Sequence, residues 1–366
     1  MTAARVNVVL VLPVLEPAGA ERIVAELALR LPAHGFATSV VCLEDETAPV
    51  GREIAAAGVP VAGLGISRRR TLAASRALAA RLPEGRPLLV HAHLFHANLA
   101  ARLAIRHVRP DRRAGVHVLA TVHICERRFR PWQFLLDQWT APVARVEVCV
   151  SRAVARFQKK RTGLPESFFR VIENGIDLSR FRPCDRRGDP LVLSAGRLDP
   201  QKDYPTLLRA WKIVESAHPT ARLAIAGEGP ERPRLEGMIR AFGLSRASLL
   251  GHVADIPGLL ATGAVYAQLS AWEGFGLAVA EAMASALPVV VSDADSLPEL
   301  VSHRRTGLVV PKRDPAAAAR AILDLLADPA LAARLGEAAR AEALSRFAVE
   351  KMVAEYATLY RNLTSR

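Results

Sequence analysis

The first half of the chain alternates short, continuous apolar runs with segments whose apolar residues recur at helical spacing. Such runs separated by helices are typical of a parallel sheet that is buried on both faces. The predicted strands are residues 6–12, 38–43, 87–92, 116–122 and 146–150. The predicted helices are residues 20–31, 52–57, 98–108 and 152–161. The pattern therefore indicates a doubly wound α/β domain.

The second half repeats this alternation. The predicted strands are residues 191–195, 223–226, 264–269, 288–291 and 308–310, and the helices between them include 204–216 and 316–326. After Leu331 the pattern is wholly helical, and residues 349–363 form an amphipathic stretch. We expect two tandem Rossmann-like domains, 1–182 and 183–346, with a linker near residues 181–190 and a C-terminal helix, 347–366, that packs back on the first domain.

The fold class limits where a ligand binds. In open parallel sheets, ligands bind beyond the carboxyl ends of the strands. Two such sheets that face each other would place the site in the cleft between them. Residues that carry the chemistry should therefore follow directly after strands.

Composition excludes several classes of protein. Of the 366 residues, 51% are hydrophobic and 23% are charged, which excludes fibrous and disordered chains. No uncharged apolar run reaches the ~18 residues of a membrane span, and we expect no signal peptide. The four cysteines, Cys42, Cys125, Cys149 and Cys184, form no C-x-x-C pair, so the sequence suggests neither a zinc site nor a disulfide framework. We therefore expect the protein in a reducing cytoplasm.

The positive charge is concentrated in the first half. Of the net charge of +13, residues 1–182 carry 27 Lys and Arg against 15 Asp and Glu, and the remainder carries 22 against 21. A basic surface attracts anions such as acidic lipid headgroups, phosphorylated substrates or nucleic acid. The alternative is that arginine is simply used on solvated faces. Nucleic acid has only the charge in its favour, because no recognisable binding module is present.

Two motifs in the second half suit a bound diphosphate. After the strand 191–195 comes Gly196, and then Arg197 and Lys202 lie on one strand-to-helix loop where both can approach an anion. The alternative is that Asp199 and Asp203 neutralise these cations within the loop.

The second motif, S-A-W-E-G-F-G-L-A-V-A-E, spans residues 270–281 and also follows a strand. Glu273 is predicted on the loop and Glu281 two turns into a helix. The backbone N–H groups of residues 275–277 at the helix start would suit phosphate, and the carboxylates would accept hydrogen bonds from sugar or ribose hydroxyls. The alternative is that the glutamates only cap and solvate a helix.

Together with A-G-A-E-R at 18–22 and V-I-E-N-G-I-D at 171–177, these motifs resemble the retaining GT-B glycosyltransferases of the group 1 (family four) set over nearly the whole chain. The resemblance implies that Arg197 and Lys202 bind the donor diphosphate, Glu273 the transferred sugar and Glu281 the ribose. It places the backbone of Gly274, Phe275, Gly276 and Leu277 at phosphate. It places the turn Gly251, His252 and Val253 at the nucleotide base.

The resemblance also assigns residues of the first half. His123, after the strand 116–122, corresponds to a histidine that the family places near the donor sugar, and Gly19 corresponds to its glycine loop. His93, with His91 and His96, is placed on the acceptor side.

Two positions depart from the family pattern. Ala18 stands where the family usually has glycine, and Asp295 precedes Pro298-Glu299 where it usually has a glycine pair. A carboxylate at Asp295 would repel a diphosphate unless it turns away. Asp293 and Asp295 also form a D-x-D triplet, but we expect no metal or other cofactor, because cationic side chains already neutralise the donor, and we interpret Asp295 as a helix N-cap.

The expected function is the transfer of a sugar from a nucleotide diphosphate sugar, UDP-linked in preference to GDP-linked, to an acceptor hydroxyl with retention. Cations interleaved with aromatic residues at 127–136 favour a polyprenyl-linked saccharide acceptor and peripheral attachment to an anionic cytoplasmic membrane surface. The alternatives are a nucleotide-sugar 2-epimerase and a non-catalytic partner subunit. A dehydrogenase is disfavoured, because G-E-G-P-E-R at 227–232 lacks the third glycine of the dinucleotide motif.

Overall fold

The computed structural model describes residues 6–85, 87–128, 130–183 and 190–365. The chain forms two compact units: residues up to Gly175 together with those from Val349 onward, and residues 176–348 between them. The second unit thus begins a few residues before the predicted boundary at Arg182. Most of the predicted linker, 184–189, lies outside the described residues, as does Cys184.

The first unit contains a parallel sheet. Its strands are β1 (Val6–Leu12), β2 (Phe36–Cys42), β3 (Val61–Gly63), β4 (Leu88–His93), β5 (Val116–Val122), β6 (Val146–Cys149) and β7 (Phe169–Val171). They are ordered β3-β2-β1-β4-β5-β6-β7, and each described pair is parallel.

Helices connect these strands. They are α1 (Gly19–Arg30), α2 (Pro49–Ala56), α3 (Thr71–Arg81), α4 (Phe95–Ala104), α5 (Pro110–Arg113), α6 (Pro131–Thr140) and α7 (Arg152–Thr162). Short 3-10 helices cover Leu31–His34, Ile105–His107, Ala141–Val143 and Glu166–Phe168. The strands β3 and β7 and the helices α3, α5 and α6 have no counterpart among the predicted elements.

The second unit repeats the architecture. Its strands are β8 (Leu191–Ala195), β9 (Arg222–Ala226), β10 (Ala247–Gly251), β11 (Val265–Gln268), β12 (Val289–Ser292) and β13 (Leu308–Val310). They are ordered β10-β9-β8-β11-β12-β13, again in parallel. The helices are α8 (Tyr204–Ala217), α9 (Arg232–Phe242), α10 (Ile256–Ala261), α11 (Leu277–Ala284), α12 (Leu297–Leu300), α13 (Pro315–Ala327) and α14 (Pro329–Arg346), after a 3-10 helix over Leu178–Arg180.

The last helix, α15 (Val349–Thr364), belongs to the first unit. It packs against α1 and β4. Its buried face includes Met352, Tyr356 and Tyr360, which recur at helical spacing.

Both sheets change winding direction at one place. The order reverses between β1 and β4 in the first sheet and between β8 and β11 in the second. Loops that leave the two neighbouring strands at such a switch point go to opposite faces, and the gap between them is where doubly wound sheets bind ligands. The switch points therefore fix where the candidate residues have to be sought.

Candidate active site

Two loops meet at the switch point of the second sheet. Lys202 lies on the loop after β8 and Glu273 on the loop after β11, and these strands are neighbours. Lys202 Nζ lies 2.6 Å from Glu273 Oε2, and the two side chains are 16% and 8% exposed. The residues predicted to bind the diphosphate and the sugar thus form one ion pair at the edge where a ligand is expected.

Donors hold both oxygens of the Glu273 carboxylate. Gln201 Nε2 donates to Oε1 at 3.2 Å, and the backbone N–H of Gly274 donates to the same atom at 3.3 Å. Ser270 Oγ donates to Oε2 at 3.1 Å and itself accepts from Gln268 Nε2 at 3.0 Å. Because these partners belong to the protein, the carboxylate is oriented before any ligand arrives.

The loop after β8 requires its glycine. Gly196 has a φ of 153°. A Cβ there would lie 3.2 Å from Lys202 Cε and 3.2 Å from the Tyr204 hydroxyl, which donates to the Gly196 carbonyl. Arg197 follows as an exposed side chain, and within the described part of the chain it makes no ion pair. Its guanidinium is therefore open to an anion from solvent.

A helix begins close to this ion pair. Gly276 precedes α11 with a φ of 105°, and a Cβ on it would lie 2.9 Å from a methyl group of Leu297. No side-chain hydrogen bond caps the start of α11 at Leu277. The first N–H groups of a helix lack intrahelical partners and attract negative charge, so this end suits an anion. Glu281 lies half-buried on the same helix.

The neighbouring loop after β12 corrects one expectation. Asp295 was expected to cap a helix, but α12 has Ser296 at its N-cap, without a side-chain cap. Asp295 Oδ2 instead accepts from the backbone N–H of Glu273 at 3.2 Å, and Ser296 Oγ donates to the carbonyl of Phe275 at 3.1 Å. Asp295 is therefore turned toward the Glu273 loop that it supports. Asp293 Oδ1 accepts from the N–H of Lys312.

The glycine-rich loop at 227–232, which lacks the third glycine of the dinucleotide motif, packs against the loop after β8. A Cβ at Gly227 would lie 2.0 Å from the carbonyl oxygen of Gly196, and one at Gly229 would lie 2.3 Å from that of Leu198. The two loops thus pack backbone against backbone. The available signal was the pair of glycines directly after a strand. Gln201 and Ser270 were also missed, because nothing in the sequence marks them as partners of Glu273.

The turn that was predicted to contact the base follows β10. Gly251 has a φ of 74°, and its carbonyl accepts from the N–H of Gly227 at 2.7 Å. His252 is exposed and Val253 is half-buried. The turn thus joins the loop after β9, while its contact with a base stays a prediction.

The predicted histidines lie at the carboxyl edge of the first sheet. His93 ends β4 and has no exposed surface, and His123 follows β5 and is half-buried. The Nδ1 of His93 lies 2.9 Å from the Nε2 of His123. Burial lowers the pKa of His123 to about 4 and holds the pKa of His93 well below its ordinary value. A direct substrate contact by His93 is not supported, because the side chain is enclosed by protein.

The remaining candidates of the first unit lie on three different elements, β4, α4 and α1. His91 is buried, with Nδ1 2.6 Å from the Tyr360 hydroxyl of α15 and Nε2 2.7 Å from Thr121 Oγ1. His96 is half-buried, and burial, with a smaller contribution from the nearby Arg68 charge, lowers its pKa. Gly19 is the exposed first residue of α1, whose N-terminus has no side-chain cap.

Two features are absent from the described residues. These residues contain no helix that combines the length and the hydropathy of a membrane-crossing segment. They also contain no group of three or more His, Cys, Asp or Glu side chains arranged to hold a metal ion.

Two doubly wound parallel units in tandem, with loops that converge at the switch point of the second, define the GT-B class of fold. The match to solved structures agrees with this class: HepE from Anabaena, crystallised with UDP and glucose, superposes with a TM-score of 0.83 at 21% identity over 97% of this chain and 99% of HepE.

Two family models match adjacent parts of the chain. Residues 17–180 match the model of Glycosyltransferase Family 4, and residues 177–342 match that of Glycosyl transferases group 1. Together the two models extend over both units. The chain belongs to the group 1 (family 4) glycosyltransferases.

Curated relatives match over part of their length. The D-inositol 3-phosphate glycosyltransferase of Streptomyces avermitilis is 33% identical over 193 residues, which are 46% of this chain and 41% of the relative. The lipopolysaccharide core mannosyltransferase LpcC of Rhizobium leguminosarum bv. viciae is 34% identical over 214 residues, which are 53% of this chain and 59% of LpcC. The chain thus spans about half the length of these relatives.

Proposed function

We propose that the protein is a retaining glycosyltransferase that moves a sugar from a nucleotide diphosphate sugar to an acceptor hydroxyl. The observation that carries the proposal is the Lys202–Glu273 pair at the switch point of the second sheet. A cation, a hydrogen-bonding carboxylate and the uncapped start of α11 together offer groups for a phosphate and for sugar hydroxyls.

The chemical requirement of the reaction is neutralisation of the leaving diphosphate. Its negative charge grows as the bond to the anomeric carbon breaks, so fixed positive groups stabilise the transition state more than the ground state. We assign this role to Lys202, to the exposed Arg197 and to the N–H groups of residues 275–277. These groups carry the positive charge that a metal ion would otherwise supply, so we propose a metal-independent transferase without a cofactor.

Glu273 has a binding role in this proposal. A retaining double displacement needs a carboxylate that attacks the anomeric carbon. Both oxygens of Glu273 already accept hydrogen bonds, and one of them is paired with Lys202. We therefore assign Glu273 to the sugar hydroxyls and infer a one-face route in which the leaving phosphate takes the acceptor proton. Glu281 is assigned to the ribose, residues 251–253 to the base, and His123 and Gly19 to substrate contacts from the first unit.

The nucleotide proposal predicts ligand-dependent stabilisation. We expect a UDP-sugar to raise the melting temperature more than the GDP and ADP counterparts, because UDP is the nucleotide bound by the structural relative HepE. At a concentration of ~100 times Kd, binding adds about 2.7 kcal/mol to the free energy of unfolding. A thermal-shift panel measures this effect.

Arg197→Ala should reduce the shift, whereas Arg76→Ala, which removes an exposed arginine of α3, should leave it unchanged. If no nucleotide sugar raised the melting temperature, the donor assignment would be wrong.

Incubation with the donor alone distinguishes the epimerase alternative, because only an epimerase would form the C2 epimer without an acceptor.

For the acceptor we propose a lipid-linked saccharide at an anionic cytoplasmic membrane surface. Helix α6 carries Trp132, Leu135 and Trp139, which are 55%, 64% and 63% exposed. The Arg106 guanidinium lies 5.1 Å from the centre of the Trp139 ring. Exposed aromatic residues beside arginines are typical of segments that lie at a membrane surface. Phe129, which was part of the predicted segment, lies outside the described residues.

This proposal predicts binding to anionic vesicles. The protein should sediment with vesicles that contain phosphatidylglycerol and not with neutral phosphatidylcholine vesicles, and salt should weaken the binding. The double variant Trp132→Ala with Leu135→Ala should bind about tenfold or more weakly, because it removes apolar surface that inserts. The matched control, Ile213→Ala with Leu344→Ala, removes exposed apolar side chains of the second unit and should bind normally. Indifference of the wild-type protein to anionic vesicles would contradict the proposal.

A further inference from the structure

A buried histidine lies directly behind His123. His93 has no exposed surface, and its Nδ1 lies 2.9 Å from the Nε2 of His123. In the parallel register, His93 of β4 pairs with Thr121 of β5, two residues before His123. Two neighbouring strands therefore bring the rings together at the same edge, and only one of the rings reaches the surface.

The surrounding structure fixes the position of His93. The centres of the His91 and His93 rings lie 4.0 Å apart. His91 is itself held by hydrogen bonds to the hydroxyl groups of Tyr360 and Thr121. The next residue, Leu94, has φ 69° and ψ 155°, a backbone conformation that residues other than glycine rarely adopt. The chain thus turns sharply just after His93, and His93 is held by packing on one side and by a strained turn on the other.

The contact between the rings couples their protons. Both pKa values lie far below neutrality, so each ring is neutral and carries one proton at pH 7. One ring must therefore donate and the other accept. If His123 donated, His93 would carry its own proton on Nε2, an atom that is buried and has no partner among the described residues. A buried N–H without a partner costs about 1–3 kcal/mol, and such orphaned donors are rarer than under-satisfied acceptors.

We propose that His93 is a positioning residue that donates from Nδ1 to Nε2 of His123 and thereby places the proton of His123 on Nδ1. The Nδ1 of the half-buried His123 ring is then a hydrogen-bond donor, and the oxygen of a substrate is the group that it would recognise. In this state His123 has no lone pair to offer as a general base. The inference rests on the proposed function only in that it names what His123 offers to the substrate.

The tautomer of His123 is measurable without substrate. In protein labelled with ¹⁵N-histidine, two-bond ¹H–¹⁵N correlations identify which ring nitrogen carries the proton. We expect the Nδ1–H form of His123 in the wild type, and a mixture of both forms in His93→Leu. His93→Asn should retain the Nδ1–H form, because the asparagine amide can donate from nearly the same place.

Activity provides the second readout. We expect His93→Leu to lower kcat/KM about five- to tenfold, the factor that corresponds to one hydrogen bond, and His93→Asn to recover most of the loss. A purely structural role predicts the reverse order, because leucine suits an enclosed apolar site better than asparagine does. If His93→Leu does not fold, the wild-type spectrum and His93→Asn still decide the question.

The two proposals fail in different ways. An Nε2–H form of His123 in the wild type, or an unchanged tautomer in His93→Leu, would overturn the role of His93 regardless of any activity. The expected tautomers in a protein that transfers no sugar would instead contradict the proposed function and leave the hydrogen-bond assignment in place.

Discussion

Lys202→Ala is expected to slow sugar transfer about 10²- to 10³-fold while both sheets stay folded, since this is the usual loss when one group that stabilises developing negative charge is removed. Lys202 lies on the loop after β8, with Nζ 2.6 Å from Oε2 of Glu273, and the uncapped start of α11 follows Glu273 by four residues. Its removal takes away a cation for the diphosphate and leaves Glu273, 8% exposed, without its ion-pair partner. Both effects reduce turnover.

The measurement is the initial rate of product formation at saturating donor, together with a melting curve for each variant. Lys212→Ala provides a matched control, because Lys212 is an exposed lysine of the same unit on α8. This control should keep the wild-type rate. If the variant at position 202 turned over as fast as the control variant, the assignment of Lys202 to the diphosphate would be wrong.

The sequence predicted most of the fold because the central strands are buried on both faces. The bounds of β1 and β8 coincide with the predicted strands, because a short continuous apolar run between turns is typical of a strand that is buried on both faces. The strands β3 and β7 were missed because they are three residues long and mostly half-exposed, so they carry no such run. Helix α3 was missed because its alanines give it no clear apolar stripe.

The candidate site was predictable to the extent that a residue follows a strand directly. The proximity of Lys202 and Glu273 was predictable in this way, since the carboxyl ends of adjacent parallel strands meet, while their roles toward a substrate stay predictions. The donors Gln201 and Ser270 were not found, because the register between the two loops exists only after folding. The same limit explains the wrong prediction for Asp295. The sequence predicts that its carboxylate caps the nearest helix, whereas in the structure the carboxylate accepts a hydrogen bond from the backbone N–H of Glu273.

Burial was the second quantity that local sequence did not reveal. His93 and His123 occupy similar places at strand ends, yet one is fully enclosed and the other is half-buried. The ring of His91 packs against that of His93, and Tyr360 of α15, a helix that reaches β4 from far along the chain, holds His91 in place. No pattern around residue 93 encodes that contact.

The largest effect on stability is expected from Arg102→Met. Arg102 is 1% exposed on α4, and its guanidinium pairs with Asp137 of α6 and, at 2.8 Å, with Glu147 of β6. Gln158 of α7 donates to the same Glu147 at 2.9 Å, so the group joins four elements. Burial raises the pKa of Glu147, while the charge of Arg102 acts in the opposite direction. Methionine fills a similar volume but leaves two buried carboxylates without their cation.

Breaking a buried pair from one side costs about 3–5 kcal/mol, and we expect a loss of this size in the free energy of unfolding of the first unit. Denaturant titration measures it, and hydrogen exchange at amides of α4, α6 and α7 locates it. Arg76→Met, at an exposed position of α3, should change stability by less than about 0.5 kcal/mol. Adding Glu147→Gln to Arg102→Met should recover part of the loss, because the uncompensated charge is then removed. Equal losses in the two arginine variants would show that the buried cluster contributes no more than a solvated side chain.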